Sequence, residues 1–161
     1  MKKIPLTQGK FAEVDNEDYE WLMQWEWSFH NGYAVRNSST VNGKRHEVFM
    51  HREVIRTPKG KYTDHKDLDK LNNQRENLRI CTYSENFQNK SITITNKSGY
   101  KGVSWHKYTK KWIAQISFSG KRVTLGYFRE AEEAALAYDK AAKKNFGEFA
   151  RTNFDMQKEN L

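Results

Sequence analysis

The 161-residue sequence predicts an α+β chain made of two small modules. Three observations carry that expectation. Apolar and polar residues alternate at period two over residues 112–118, as in a strand with one buried face. A stripe of small apolar residues recurs at helical spacing over residues 131–142, shortly after it. A polar stretch rich in Asn, Ser and Thr, residues 87–98, separates this half from the first.

The elements follow in order. In the first half the strand signals are short: Lys10–Val14, Tyr33–Arg36 and Glu47–Met50, with an Asn42-Gly43 hairpin turn before the last. The run Asp15-Asn16-Glu17-Asp18 offers an N-cap for a short helix over Tyr19–Met23. Trp21, Trp25 and Trp27 are expected to build a small core. In the linking stretch, Ile92 and Ile94 alternate with Thr and allow a short strand. Tyr100 to Trp105 then starts an extended segment, and Lys110-Lys111 marks a turn. Trp112, Ala114, Ile116 and Phe118 form the apolar face of the next strand. Ser119-Gly120-Lys121 turns the chain into Arg122–Phe128, completing a three-stranded antiparallel meander. The helix over residues 129–144 has Glu130, Glu132 and Glu133 early and Lys140, Lys143 and Lys144 late, which suits the helix dipole. Ala131, Ala134, Ala135, Tyr138, Ala141 and Ala142 lie on one stripe, small enough for the helix to lie close on the sheet, and Gly147 marks its end. The expected organisation is a module over 1–90, a linker over 91–98, a module over 99–155 and a tail over 156–161.

Composition narrows the function. One cysteine, Cys81, excludes an internal disulfide and a multi-cysteine zinc site, and is expected to be a small buried hydrophobe. The longest apolar run, Ala134–Tyr138, is far below the roughly 20 residues of a membrane helix. The N-terminus has no apolar signal region, so no secretion signal is expected and the protein is placed in the cytoplasm. The net charge is +8, and residues 99–128 hold Lys101, Lys107, Lys110, Lys111, Lys121 and Arg122 with no acid. A surface normally mixes signs, so this window points to a polyanionic partner.

The blocks Gly99-Tyr100-Lys101-Gly102-Val103, Lys111-Trp112-Ile113-Ala114-Gln115-Ile116, Leu125-Gly126-Tyr127-Phe128, Glu132–Ala142 and Asn153-Phe154 stand in a specific order. Over residues 99–154 they resemble the DNA-binding domain of the plant Apetala/ethylene-response-factor family. The resemblance implies a three-stranded sheet packed on one helix, with the sheet in the major groove of double-stranded DNA. It implies DNA-facing positions at Lys101, Ser104, His106, Gln115, Ser117, Arg122 and Thr124; Lys110 and Lys111 of the basic window join that surface. Plant members have Arg where Ser104 and Ser117 stand and Trp where Thr124 stands, so their base preference does not transfer. Trp112 is expected to pack, and Trp105 to pack or to stack on DNA.

In the first half, Met50–Ile55, Thr63–Asp67, Leu71–Thr82 and Ser84–Asn89 are the informative pieces. Asp64-His65 ends a strand, Asn77 precedes the strand Leu78–Cys81, and Asn86 follows Thr82 at the start of a helix. This series resembles the HNH nuclease motif, a ββα unit that holds one metal. More narrowly it is similar to phage intron-encoded homing endonucleases in which the last His is Asn. The resemblance implies His65 as general base, Asp64 and Asn86 as ligands of one Mg²⁺ or Mn²⁺, and Asn77 as the pin that aims His65. The residue types suit these roles: imidazole accepts a proton near neutral pH, and hard oxygens suit these cations. His51 is expected in the core or lining the site, Arg52, Arg75 and Arg79 as phosphate contacts or solvated charges, and Asp67 and Asp69 in a solvated turn.

The leading expectation is thus a DNA endonuclease tethered to its target by the second module, acting as a monomer with no small-molecule cofactor, in a bacterial host or phage-infected cell. The alternative is a non-catalytic DNA-binding regulator on a degenerate nuclease scaffold. A third class, an RNA-binding protein, lacks a recognisable RNA module.

Overall fold

The computed structural model describes residues 1–39, 45–89, 92 and 96–158, the side chains of 156–158 excepted. The expected Asn42-Gly43 turn, the strand through Ile94 and the end of the tail lie outside the described residues. The chain is α+β, and it divides into two compact units, Met1–Asn86 and Phe87–Leu161, with the division inside a helix.

The first unit opens with β1 (Lys2–Pro5) paired antiparallel to β2 (Phe11–Val14), with Ile4 opposite Ala12. Ile4, Ala12 and Val14 are buried while Lys3 and Phe11 are exposed, as a one-sided strand requires. α1 (Asn16–Leu22) begins after Asp15. Asp15 does not cap it through its side chain; its carboxylate instead accepts hydrogen bonds from Gln74 Nε2 at 3.2 Å and the Arg75 amide at 2.8 Å. β3 (Ser28–His30), β4 (Tyr33–Asn37) and β5 (Glu47–Phe49) form an antiparallel sheet in that order. α2 (Met50–Val54) follows at once. β6 (Tyr62–His65) pairs antiparallel with β7 (Leu78–Cys81), and α3 (Tyr83–Gln88) comes next.

The core of this unit gathers Ile4, Val14, Leu22, Trp27, Met50, Val54 and Leu78. The three tryptophans do not share it. Trp27 is buried and its indole N–H donates to the Leu22 carbonyl at 2.8 Å. Trp21 only packs against the core, and Trp25 is 38% exposed, with the Arg36 guanidinium 4.6 Å over its ring. Trp21 also finds an acceptor, its indole N–H donating to Asp18 Oδ1 at 2.9 Å.

The segment between β6 and β7 is bound to the start of the chain. The Glu13 amide donates to the Leu71 carbonyl at 2.8 Å, and the Asn73 amide to the Glu13 carbonyl at 2.7 Å. Arg75 meets the fully buried Asp18 through Nε at 2.8 Å and Nη2 at 2.6 Å. A bidentate pair to a buried carboxylate is a strong tie, because breaking it strands a charge in the interior.

In the second unit β8 (Val103–His106), β9 (Lys111–Phe118) and β10 (Lys121–Phe128) form an antiparallel sheet with β9 in the middle. α4 (Ala131–Phe146) buries Ala134, Ala135, Tyr138 and Ala142, and these pack with Val103, Ala114 and Ile116 of the sheet. Glu132 and Glu133 sit in its first turn and Lys143 and Lys144 in its last, the favourable order for the dipole. Gly147 ends it at φ +53°, its amide donating to the Lys143 carbonyl. In α5 (Asn153–Lys158), Asn153 is buried; its Nδ2 donates to Asp139 Oδ1 at 2.8 Å and its Oδ1 accepts the Lys101 amide at 2.6 Å.

Candidate functional site

Asp64 and His65 are the last two residues of β6 and are almost wholly buried. Side chains alternate across a strand, so the two leave it on different sides. His65 meets an aromatic wall. The ring centroid of His51, from α2, lies 5.0 Å away at 78°, and that of Tyr33, from β4, at 6.2 Å. Phe49 is 5.5 Å from His51 and closes the group.

Burial lowers the affinity of both imidazoles for a proton. His51 is pushed down to about 3, by its burial first and then by the neighbouring His65 and Arg52 charges. His65 is also lowered by burial, against the pull of Asn73 and of the Asp67, Asp64 and Asp69 carboxylates. Both rings are therefore neutral at pH 7. The unfolded chain binds a proton at His51 near pH 6.5, while the folded chain resists it down to about 3. Stability from His51 is thus present above pH 6.5 and falls as the pH drops, by on the order of 2 kcal/mol between pH 7.5 and 5. Urea denaturation at the two pH values measures this loss, and His51→Gln is expected to flatten it; an equal loss in that variant would place the acid sensitivity elsewhere.

Asp64 faces its cross-strand neighbour Arg79, whose Nε and Nη2 reach Asp64 Oδ2 at 2.8 and 2.7 Å. Cys81 shares that side; burial pushes its thiol up to about 11, so it is an inert small group, as expected. α3 is started by a reciprocal cap. The Glu85 carboxylate accepts the Thr82 amide at 2.7 Å and its hydroxyl at 2.8 Å, and the Glu85 amide returns to Thr82 Oγ1. The Thr82 amide is also what holds the Glu85 carboxyl below its ordinary range. The cap sets Asn86 one helical turn on, its backbone N–H donating to the Thr82 carbonyl at 3.1 Å.

Asn77 clamps the loop that follows His65. Its Oδ1 accepts the Asp67 amide at 3.1 Å, and its Nδ2 donates to Asp67 Oδ1 at 2.9 Å and to the Asn72 carbonyl at 2.8 Å. Its own carbonyl accepts the Lys66 amide at 2.9 Å. Asp67 is more than a solvated turn residue, since its carboxylate also takes the Asp69 amide and Asn72 Nδ2. Asn72 and Asn73 escaped notice in the sequence, and Asp67 was expected only in a solvated turn, because Asn and Asp in loops usually signal only turns.

Among the described residues no three His, Cys, Asp or Glu side chains are grouped to hold a metal. The hard-oxygen candidates are one carboxylate, Asp64 at the end of β6, and one amide, Asn86 in α3. That set suits a hard cation that keeps several waters, and so fits Mg²⁺ or Mn²⁺ rather than zinc.

On the sheet of the second unit, Ser104 opposes Ile113, Gln115 opposes Thr124 and Ser117 opposes Arg122. With His106 and Lys111 they share the face turned away from α4. Gln115 Nε2 donates to Thr124 Oγ1 at 3.2 Å. Lys110 sits in the turn at φ +50°. A bulge between Thr124 and Gly126 reverses the alternation in β10. Tyr127 thereby joins the outer face, its ring 5.2 Å from His106, and Phe128 packs into the core. Strict period two from Arg122 misses Tyr127, because a bulge adds a residue without a residue-type signature there. Trp105 is about half exposed and meets Trp112 edge to face at 5.2 Å, so it packs by one edge only.

Lys101 is not an open cation. It lines a cleft of about 390 Å³ with Ser104, Gln115, Ser117 and Arg122, and its Nζ donates to the Gln88 carbonyl. Burial, then the nearby Arg151, pushes it down to about 8, against the pull of Asp139. Arg52 donates to the carbonyls of Lys61 at 2.9 Å and Pro58 at 3.4 Å, and Arg75 is tied to α1. Of the four auxiliary residues the sequence singled out, His51 and Arg79 lie against His65 and Asp64, whereas Arg52 and Arg75 line a separate cleft.

The family model described as HNH endonuclease matches residues 46–88, and the one described as AP2 domain matches residues 98–148. An HNH endonuclease of Acanthamoeba polyphaga mimivirus is 32% identical over 149 residues, covering 91% of this chain and 76% of the relative. Protein 3.8 of Escherichia phage T7 is 35% identical over 94 residues, 58% of this chain and 77% of the phage protein. An ethylene-responsive transcription factor of Arabidopsis thaliana is 44% identical over 61 residues, 37% of this chain and 14% of the plant protein. The chain therefore belongs to the HNH endonuclease family, as a member that joins its nuclease domain to an AP2-type DNA-binding domain.

Proposed function

We propose that the protein is a metal-dependent DNA endonuclease of the homing type, which hydrolyses phosphodiester bonds in duplex DNA. The observation that supports this is the clamped end of β6. There a buried carboxylate and a neutral imidazole leave adjacent positions, and Asn77 fixes the loop that follows them. His65 takes the proton of the attacking water. Asn77 acts as a positioning residue. Asp64 and Asn86 hold one Mg²⁺ or Mn²⁺, which when bound supplies positive charge to the phosphate and to the leaving 3′ oxygen.

In this reading the β8–β10 face docks in the major groove. Arg122 and Lys111 serve phosphates or a guanine edge, and Ser104, His106, Gln115, Ser117 and Thr124 face the bases. Residues 1–90 are the nuclease module, 91–98 the linker and 99–155 the DNA-binding module. The protein acts as a monomer without a small-molecule cofactor, in the cytoplasm of a bacterial or phage-infected cell; the viral relatives support that setting. In the described residues no helix is long and apolar enough to cross a membrane.

Incubation with supercoiled plasmid tests the reading. Nicked or linear product is expected with Mg²⁺ or Mn²⁺, and none after chelation by EDTA. Salt-sensitive duplex binding with no cleavage in either metal would instead mark a non-catalytic regulator.

A further inference from the structure

The geometry points to a second grip on DNA inside the nuclease unit: a cleft beside α2 that binds a backbone phosphate of the duplex. It rests on the reading of the chain as a DNA nuclease, and it says where the cutting unit itself holds its substrate. The cleft has a volume of about 570 Å³ and is lined by Trp21, Arg52, Glu53, Arg56, Thr57 and Arg75.

The charges in it do not cancel. Glu53 is engaged by Arg36, Nη2 to Oε2 at 3.0 Å. Arg75 is engaged by Asp18 and Glu17. Two guanidiniums are left over. Among the described residues Arg52 is held by the neutral carbonyls of Lys61 and Pro58 and by no carboxylate, so its position is set while its charge persists. Arg56 is exposed, and its side chain has no hydrogen bond or ion pair among the described residues. Its backbone stands at φ +50°, a conformation few non-glycine residues adopt, in the turn that closes α2.

Two guanidiniums without a carboxylate partner among the described residues, with a hydroxyl and an indole wall, suit a tetrahedral oxyanion with diffuse charge. Arg matches phosphate oxygens in a fork that Lys cannot form. The duplex backbone is the source the placement favours. The same five-residue helix presents His51 to the proposed base His65 and, one residue on, Arg52 to this cleft. A strand cut at His65 therefore runs beside α2, where its flanking phosphates meet Arg52 and Arg56.

Fluorescence anisotropy of a labelled duplex, with the full chain and a salt series, tests this. Each phosphate contact contributes about 0.9 to the slope of log affinity against log salt. Arg56→Gln is expected to lower that slope by about 1 and to weaken binding about threefold to tenfold at low salt. Arg56→Glu is expected to weaken it further, and neither is expected to move the melting temperature, because the side chain is exposed. Wild-type slope and affinity in both variants, with a reduced slope in an Arg122→Gln control, would overturn the cleft and leave the proposed function standing. A wild-type chain that binds no duplex would overturn both. Inhibition by inorganic phosphate that Arg56→Gln relieves, with the duplex slope unchanged, would mark a free-anion pocket and also overturn the proposal.

Discussion

Replacing His65 with alanine is expected to lower plasmid cleavage by about a thousandfold, within the usual range for loss of a general base. The reason is local. His65 is the imidazole beside the carboxylate at the end of β6, and burial lowers its proton affinity, so it is neutral and able to accept a proton at pH 7. The same shift sets the acid limb of the cleavage profile below pH 6.5, the ordinary value for histidine. Because the side chain is buried, its removal also leaves a small void, and two further measurements separate chemistry from packing. Circular dichroism of the variant should retain the native spectrum, and added imidazole should restore part of the activity by filling the void with a base. Cleavage by His65→Ala within about threefold of wild type would remove His65 from the mechanism. The Asp64–Arg79 pair stays intact in that variant, since it lies on the other side of the hairpin.

Gly102→Ala is expected to destabilise the second unit by about 3 kcal/mol or more and to abolish duplex binding with it, combining overpacking and backbone strain. Gly102 stands at φ +74°, just before β8. An added Cβ would come within 2.0 Å of Cδ2 of Tyr138 and 2.8 Å of the Gln115 carbonyl oxygen. Neither neighbour can withdraw. Tyr138 is buried under the sheet, and the Gly102 carbonyl accepts the Gln115 amide at 2.8 Å, which fixes the two backbones together. Gly99 supplies the control. It has the same φ, +74°, but a Cβ there meets nothing within 4 Å. Gly99→Ala should therefore cost only the conformational part, about 1 kcal/mol. Thermal melting and duplex anisotropy on the two variants check the difference; equal losses would show that conformation alone, and not the approach of α4, requires glycine at 102.

The local elements were the legible part. The alternation Trp112, Ala114, Ile116 and Phe118 is β9, and the stripe from Ala131 to Ala142 is the buried side of α4. Asp64, His65, Asn77 and Asn86 stand within one hairpin and the helix capped after it, so their order along the chain is local. Trp25 misled the core reading because an indole near two others looks buried by composition. Of the three, only the Trp27 ring is buried; Trp25 lies at the surface under the Arg36 guanidinium.

What the sequence by itself determined about this protein is the meander and helix of its second unit, its family and the basic character of the second sheet, because side-chain periodicity and motif spacing act over a few residues, whereas the short β1, β3 and α2 carry no such period. What only the tertiary structure decided is the company each group keeps. It set His51 against His65, tied Arg75 to Asp18 across 57 positions, and joined Asn153 to Lys101 across 52. It also turned Tyr127 outward at the β10 bulge and left Arg52 and Arg56 uncancelled in one cleft. The physical reason is that desolvation and charge balance depend on distance in space, and two residues far apart in the chain acquire that distance only when the core closes between them.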